Sequence, residues 1–436
     1  RNMEENNVPG AVVGVLHEGH VGIAAGGVTS VENPLPVEDS TLFQIGSITK
    51  TFTAAALMRL VERGLVDLDR PVRDYLPEFR VADEKASSGV TPRHLLTHHC
   101  GWEGDLFIDT GFGDDALARY VAAMGGQPQI VPLGSYFSYN NSGFTALGRM
   151  IETITGQTFE RAVTALVLGP LGLDRVYLSP LDVLTRRFAA GHLVVDGEPA
   201  VARPWALPRA SGPVGGIATD MPALLEYARF NLGLTAGRDQ VLAPETVAQM
   251  HSPQREIWEG KEAVGLSWFI DRFGGEVVVN HQGSTSSQVS GLFLVPGRDF
   301  AVGILTNADQ GGKVVRKMKA WAFERYLGLT AETPTQMQLE PEALQEYAGR
   351  YDRAFAAVNL AVEEGKMAAT FRFKQGFPTA DDPPPPNPPP MGLAMIEKDR
   401  FLILDGAWKD GTMDVIRNAD GEVAWLRAYR RIHAKI

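Results

Sequence analysis

Cysteine is almost missing from this chain. Cys100 is the single one among 436 residues, so no disulfide closes within it and no zinc site rests on several thiolates. Long apolar runs are missing as well. None approaches the ~20 residues that a helix needs to cross a bilayer. Positive charge is in deficit: 41 Lys and Arg face 52 Asp and Glu, for a net charge of −11. That balance repels a phosphate backbone and sets nucleic acid aside as a partner. The chain opens at Arg1 rather than Met, as removal of a leader would leave it, and the compartment stays open between cytoplasm and export. Three catalytic signatures are absent: a Gly-x-Ser-x-Gly elbow, a His-Glu-x-x-His pair and a Walker loop.

What remains is ordinary globular material, 44% hydrophobic and 21% charged, which excludes a mostly disordered chain. The length fits two or three domains, or one large catalytic domain with an appendage. Ala11 to Leu16 and Val21 to Ala25 read as strands around a Glu18-Gly19 turn. Thr51 to Arg63 reads as a helix that Gly64 ends. Further helices are expected over Ala116 to Met124, Thr145 to Thr153, Ala223 to Asn231 and Val314 to Tyr326. Residues 100–115 and 196–217 read as irregular. Strands return at Val277 to Val279, Leu292 to Val295 and Ala301 to Leu305. Strands at both ends with helices between predict an α+β domain whose sheet gathers early and late segments. After a polar stretch around Pro334 and Pro341, short strand patterns and the hairpin signals Glu364-Gly365 and Asp420-Gly421 predict a small all-β barrel. Pro378 to Pro390 reads as a stiff loop between two of its strands. The expected division is therefore a catalytic domain at 1–330, a linker at 331–341 and a barrel at 342–436.

Three short motifs carry chemistry. Ser47-Ile48-Thr49-Lys50 is the only Ser-x-x-Lys in the chain. Positions i and i+3 share a helix face, and Lys50 sits in a segment that reads as buried. Burial lowers a lysine pKa and so supplies the base that a serine hydroxyl needs to act as a nucleophile. Tyr139-Asn140-Asn141 is the only Tyr-x-Asn. A phenol beside an ammonium is expected to have a lowered pKa and to relay protons, and an asparagine side chain suits a substrate amide. His281-Gln282-Gly283-Ser284 is expected to follow a strand that ends at Asn280. A glycine there admits a substrate to the backbone, and the N–H of Ser284 would face that of Ser47 as an oxyanion hole. Two rival signals are weak. His94, His98 and His99 have metal-like spacing beside Cys100 without a completing carboxylate, and Gly111 to Ala116 places two aspartates where a pyrophosphate would sit.

In this order and spacing the motifs resemble the serine β-lactamase and penicillin-binding-protein superfamily, in its branch of class C β-lactamases, DD-peptidases, D-aminopeptidases and esterases. Phe43 to Thr51, Leu95-Leu96-Thr97-His98, Gly215 to Thr219 and Leu305-Thr306-Asn307 add to the likeness. The resemblance implies Ser47 as acylated nucleophile, Lys50 as its base partner and Tyr139 as proton carrier to the leaving group. It implies Asn141, His281, Gly283 and Ser284 as substrate-binding residues, with the N–H groups of Ser47 and Ser284 as the oxyanion hole. His281 and Gln282 stand where β-lactamases of this branch carry Lys-Thr. Histidine is mostly neutral near pH 7, so a fixed cation for a substrate carboxylate is lost and the peptidase and aminopeptidase members are nearer. The stretch Leu344 to Tyr351 resembles the opening of a lipocalin-like barrel attached to some of them. The implied function is hydrolysis, through an acyl-enzyme and without a cofactor or metal, of amide bonds in small or D-residue-containing peptides. A carboxylesterase is the alternative, and a non-catalytic binder of acyl or peptidoglycan ligands is the reading from another class. A homo-oligomer stays compatible with the sequence.

Overall fold

The computed structural model describes residues 2–235, 241–406 and 408–436. The first strands form a tight hairpin, β1 (Gly10–His17) and β2 (His20–Gly27). Glu18 and Gly19 turn it, both with positive φ, which matches the right-handed twist of the flanking strands. The next six main strands come from much later in the chain. They are β3 (Arg255–Trp258), β4 (Glu262–Val264), β5 (Phe269–Phe273), β6 (Glu276–Ser284), β7 (Val289–Val295) and β8 (Phe300–Thr306). The sheet runs β2-β1-β8-β7-β6-β5-β4-β3. Its hinge of distant segments is the β1–β8 pair, with Ala11 opposite Thr306 and His17 opposite Phe300. The α+β expectation, early and late strands in one sheet, holds.

Helices cover both faces. α1 (Thr49–Glu62) is buried almost throughout, with Phe52, Ala54, Ala55, Ala56 and Leu57 in the main core. α2 (Asn141–Thr155) packs against it. Asn140 caps α2 by accepting from the Gly143 N–H (2.8 Å), and Gly156 ends it in the left-handed region. α3 (Met221–Asn231) lies on one face of the sheet, and α4 (Gly311–Leu327) on the other, where Val315 and Phe323 meet Phe293 and Phe300. No helix among the described residues is long and apolar enough to cross a membrane.

The last eight strands close a barrel: β9 (Gly349–Asp352), β10 (Ala356–Glu363), β11 (Lys366–Phe373), β12 (Met391–Glu397), β13 (Arg400–Ile403), β14 (Thr412–Arg417), β15 (Val423–Ala428) and β16 (Arg431–Lys435). Closure pairs β9 with β16 and removes both sheet edges. The barrel has its own core around Tyr351, Val358, Phe401 and Leu426. It docks on the first part of the chain through Val131, Ile416 and Ile432 and through a ring contact between Phe107 and Phe355. The proline-rich loop joins this contact: Phe377 packs on Phe107, and the Ala380 N–H donates to the Phe107 carbonyl (2.8 Å).

Candidate active site

Ser47 lies in a single helical turn, Gly46–Ile48, that leads directly into α1. Its glycine is required twice over. Gly46 has φ +49, and a Cβ there would sit 2.7 Å from the backbone nitrogen of Ser284. From the other side, a Cβ on Gly283 would meet the Ile45 carbonyl at 1.9 Å. The two glycines thus let β6 lie against the serine turn, backbone to backbone, and bring Ser284 next to Ser47.

Lys50 follows three residues on, in the first turn of α1, with no exposed surface. Its Nζ donates to Ser47 Oγ (3.0 Å) and to the Val214 carbonyl (2.9 Å). The rings of Tyr139 and Phe144 flank it, with centroids 5.0 and 5.7 Å away. Burial, and secondarily the charge of Arg431, hold the lysine well below its ordinary pKa against the opposing pull of Asp105. The amine is therefore driven toward its neutral form.

Tyr139 precedes the cap of α2. Its ring stacks on His98 at 4.3 Å between centroids, and the His98 ring in turn accepts from the Asn140 N–H (3.0 Å). The phenol oxygen is buried and has no hydrogen-bond partner of good geometry, although Ser47 acts on it as a polar neighbour. Its pKa is pushed up to about 12, by burial first. The expected lowering by a lysine ammonium is thus overturned. Desolvation of the buried phenol outweighs the lowering that Ser47 and Arg431 exert.

His281 lies inside β6, not beyond its end. The strand runs on to Ser284, pairing His281 with Leu292 and Gly283 with Ser290. His281 is 1% exposed, with Nδ1 2.7 Å from the Gln282 carbonyl and Nε2 without a partner. Burial takes its pKa down to about 3, so the ring is neutral at pH 7. Asn141 opens α2, and its Nδ2 donates to Asp105 (2.7 Å). Ser47, Lys50 and Tyr139 therefore meet in one buried cluster, and β6 sets Gly283 and Ser284 against the serine turn and His281 beside the Tyr139 ring.

Residues 1–326 match the Beta-lactamase family. The chain belongs to that family. It is 33% identical over 363 residues to penicillin-binding protein 4 of Amycolatopsis lactamdurans, covering 80% of this chain and 94% of that one. It is 27% identical to a β-lactamase of Yersinia enterocolitica over 67% of this chain and 72% of that one. Among solved structures, SurE with D-Leu superposes with a TM-score of 0.74 at 23% identity, covering 100% of this chain and 97% of that one. The octameric penicillin-binding protein homologue of Pyrococcus abyssi superposes at 0.67 with 23% identity and the same coverage. With these relatives, this β-lactamase-family chain is a serine hydrolase.

The family's motifs do not include the residues that the barrel brings to this site. The β15–β16 turn reaches the catalytic half, where the Arg430 carbonyl accepts from the Tyr139 N–H (2.7 Å) and Ser138 Oγ accepts from the Ile432 N–H (3.2 Å). Arg431 grips Asp105 with Nε at 2.5 Å and Nη2 at 3.1 Å, and its guanidinium lies 5.0 Å from the Tyr139 ring centre. Arg353 adds a third contact to Asp105 (3.2 Å) and pairs with Glu103. Burial alone would raise the Asp105 pKa, but Arg431 and Arg353 hold it at about 2. Asp105, Arg353 and Arg431 carried no signal in the sequence, because they come from three separate stretches and none sits in a motif.

Proposed function

We propose that Ser47 is the nucleophile of an acyl-transfer cycle on amide bonds of small or D-residue-containing peptides. The observation that carries this reading is the buried contact between Lys50 Nζ and Ser47 Oγ at 3.0 Å. A neutral amine that spends one N–H on the Val214 carbonyl has its lone pair free for the serine proton at that distance. Attack on the substrate carbonyl forms the Oγ–C bond. The negative charge then gathers on an oxygen held by the N–H groups of Ser47 and Ser284, whose backbones the two glycines bring together. Tyr139, as a neutral phenol, hands a proton to the leaving nitrogen and takes one from Lys50. Water then repeats the sequence in reverse and frees the serine. Asn141, with its Nδ2 on Asp105, has its carbonyl oxygen to accept from the substrate amide. A neutral His281 offers no fixed charge to a substrate carboxylate, which argues against efficient β-lactam turnover.

Carboxylester hydrolysis is the second reading, and one observation favours it. A phenol at about 12 is a weaker acid than an amide leaving group demands. Intact-mass spectra separate the readings. Wild type and Ser47→Ala are mixed with a reactive β-lactam, an activated short-chain ester and a D-alanyl amide. A mass increase confined to wild type supports Ser47 as nucleophile. Turnover of the amide supports the peptidase, and turnover of the ester alone supports the esterase. Adducts on both proteins would sink the assignment of Ser47. Equal ligand affinity with no turnover by either protein would point to the non-catalytic binder.

A further inference from the structure

His94, His98 and His99 have metal-like spacing in the sequence, and the fold separates them. His94 Nδ1 lies 2.9 Å from Thr91 Oγ1, and His99 Nδ1 lies 2.7 Å from the Thr97 carbonyl. Both rings thus serve the short helix Pro92–Leu96 and its two ends. No group of three or more His, Cys, Asp or Glu side chains among the described residues is placed to hold a metal. His98 is the member of the trio that bonds to the Tyr139 segment.

It holds three consecutive residues there. Its carbonyl accepts from the Ser138 N–H (3.0 Å), and its Nδ1 accepts from the Asn140 N–H (3.0 Å). Between these two bonds its ring lies on the Tyr139 ring, with centroids 4.3 Å and planes 28° apart. The Tyr139 N–H itself donates to the Arg430 carbonyl (2.7 Å). Every backbone N–H from Ser138 to Asn140 is therefore fixed, and one face of the tyrosine ring is covered. The backbone of His98 takes a left-handed conformation to do this, with φ +58, which few residues other than glycine adopt.

Packing alone does not account for a histidine at this place. Phe137, Phe144 and Phe269 surround the ring, and a phenylalanine would fill the same apolar space. Because Nδ1 is an acceptor, the proton of the neutral ring sits on Nε2. That nitrogen is buried without a partner, which costs stability. Burial first, and then the charges of Lys50 and His281, hold the ring pKa well below 6.5, so Nδ1 stays an acceptor through the neutral range. What histidine has and phenylalanine lacks is the bond to Asn140. What it has and asparagine lacks is the flat face against Tyr139.

We propose that His98 is a positioning residue for the acid step: it holds the Tyr139 phenol beside Ser47, where the leaving group can take its proton. The inference rests on the role of Tyr139 proposed above. General-acid help matters in proportion to the basicity of the leaving group. A nitrophenolate departs without a proton, and an alkoxide does not. A displaced phenol should therefore show as a defect that grows with leaving-group basicity, whereas a generally weakened fold would slow all substrates alike.

Four acetate esters of increasingly basic leaving groups test this: 4-nitrophenyl, phenyl, trifluoroethyl and ethyl acetate. kcat/KM is measured for wild type, Tyr139→Phe and two His98 variants, with thermal unfolding of each as the check on folding. His98→Asn keeps an acceptor without the ring, and His98→Phe keeps the ring without the acceptor. Both are expected to lose less than ~10-fold on 4-nitrophenyl acetate and ~10²-fold or more on ethyl acetate. Asparagine tolerates the left-handed backbone, so His98→Asn keeps the test open if His98→Phe does not fold. A folded His98 variant that loses the same factor on all four esters, or loses nothing, would overturn the proposal, and a steep series for Tyr139→Phe would then leave the role of Tyr139 standing. If the losses of Tyr139→Phe do not grow along the series, the reading of Tyr139 fails and this inference fails with it.

Discussion

Lys50 is the residue on which stability and activity pull apart. Among Ala54, Ala55 and Phe52 an apolar side chain would be at home, and the protein instead buries an amine there. Its folded pKa lies well below 10.5, so between those two values the unfolded chain binds a proton that the folded one lacks. Stability then rises with pH through that window and is diminished at neutrality. Lys50→Met should accordingly raise the melting temperature at pH 7 while slowing Ser47 acylation by ~10²–10⁴-fold. Calorimetry and stopped-flow acylation on one preparation would check both, and a variant that melts lower than wild type would refute the stability half. Ser47 and Lys50 were legible in the sequence because a helix turn puts i and i+3 together whatever the rest of the fold does. The protonation state of Tyr139 was not legible. It depends on what buries the phenol, and that comes from His98, Phe269 and the barrel.

At the scale of elements, the β15–β16 hairpin is the part that joins the two halves of the molecule. Its turn residues Tyr429 and Arg430 both lie in the left-handed region, with φ 53 and 61, although neither is Gly, Asn or Asp. Such a turn is disfavoured on its own and persists because its surroundings fix it. For the same reason it left no mark in the sequence. Glu364-Gly365 and Asp420-Gly421 signal their hairpins by residue type, whereas Tyr429-Arg430 extends a strand-like run. The reach of β6 was hidden in a similar way: His281-Gln282-Gly283 is polar enough to read as a strand end, and only the approach of Ile45 buries it. The ion pair beneath the hairpin is the part to test. Removing Arg431 leaves Asp105 buried with fewer donors, a change that typically costs ~3–5 kcal/mol. Arg431→Met should lower kcat far more than KM, since it loosens Tyr139 without touching Ser47, and should make the 331–341 stretch, which holds no Lys or Arg, more readily cleaved by a protease of broad specificity. Adding Asp105→Asn should restore much of the stability but not the activity. If Arg431→Met alone left kcat unchanged, the hairpin would be a brace for the barrel and no more.

The molecule as a whole carries a set of buried neutral histidines. His99 and His251 are held at about 4, and His281 and His433 at about 3, in each case by burial first. Below 6.5 the unfolded chain takes up protons at these four positions that the folded one refuses. Stability is therefore fully present above pH 6.5 and falls as the pH moves down, toward 4 for His99 and His251 and toward 3 for His281 and His433. At pH 5 the loss is up to about 2 kcal/mol for each histidine. Chemical denaturation at pH 7.5, 6 and 5 would show it, and a stability that stays flat to pH 5 would contradict it. The α+β architecture and the closed barrel were legible at this scale, because strand alternation and turn residues are local signals. How the barrel sits on the catalytic half was not, since the Arg431–Asp105 contact spans 326 positions of sequence. That span also orders events during synthesis. Ser47 and Arg431 are 384 residues apart, so at ~5–20 residues per second the ribosome makes the serine ~20–80 s before the arginine. The nascent chain thus carries Ser47 for that time without the strand that packs beside Tyr139, and on the proposed role of Tyr139 acylation is expected only once the last strand has been translated and has left the exit tunnel.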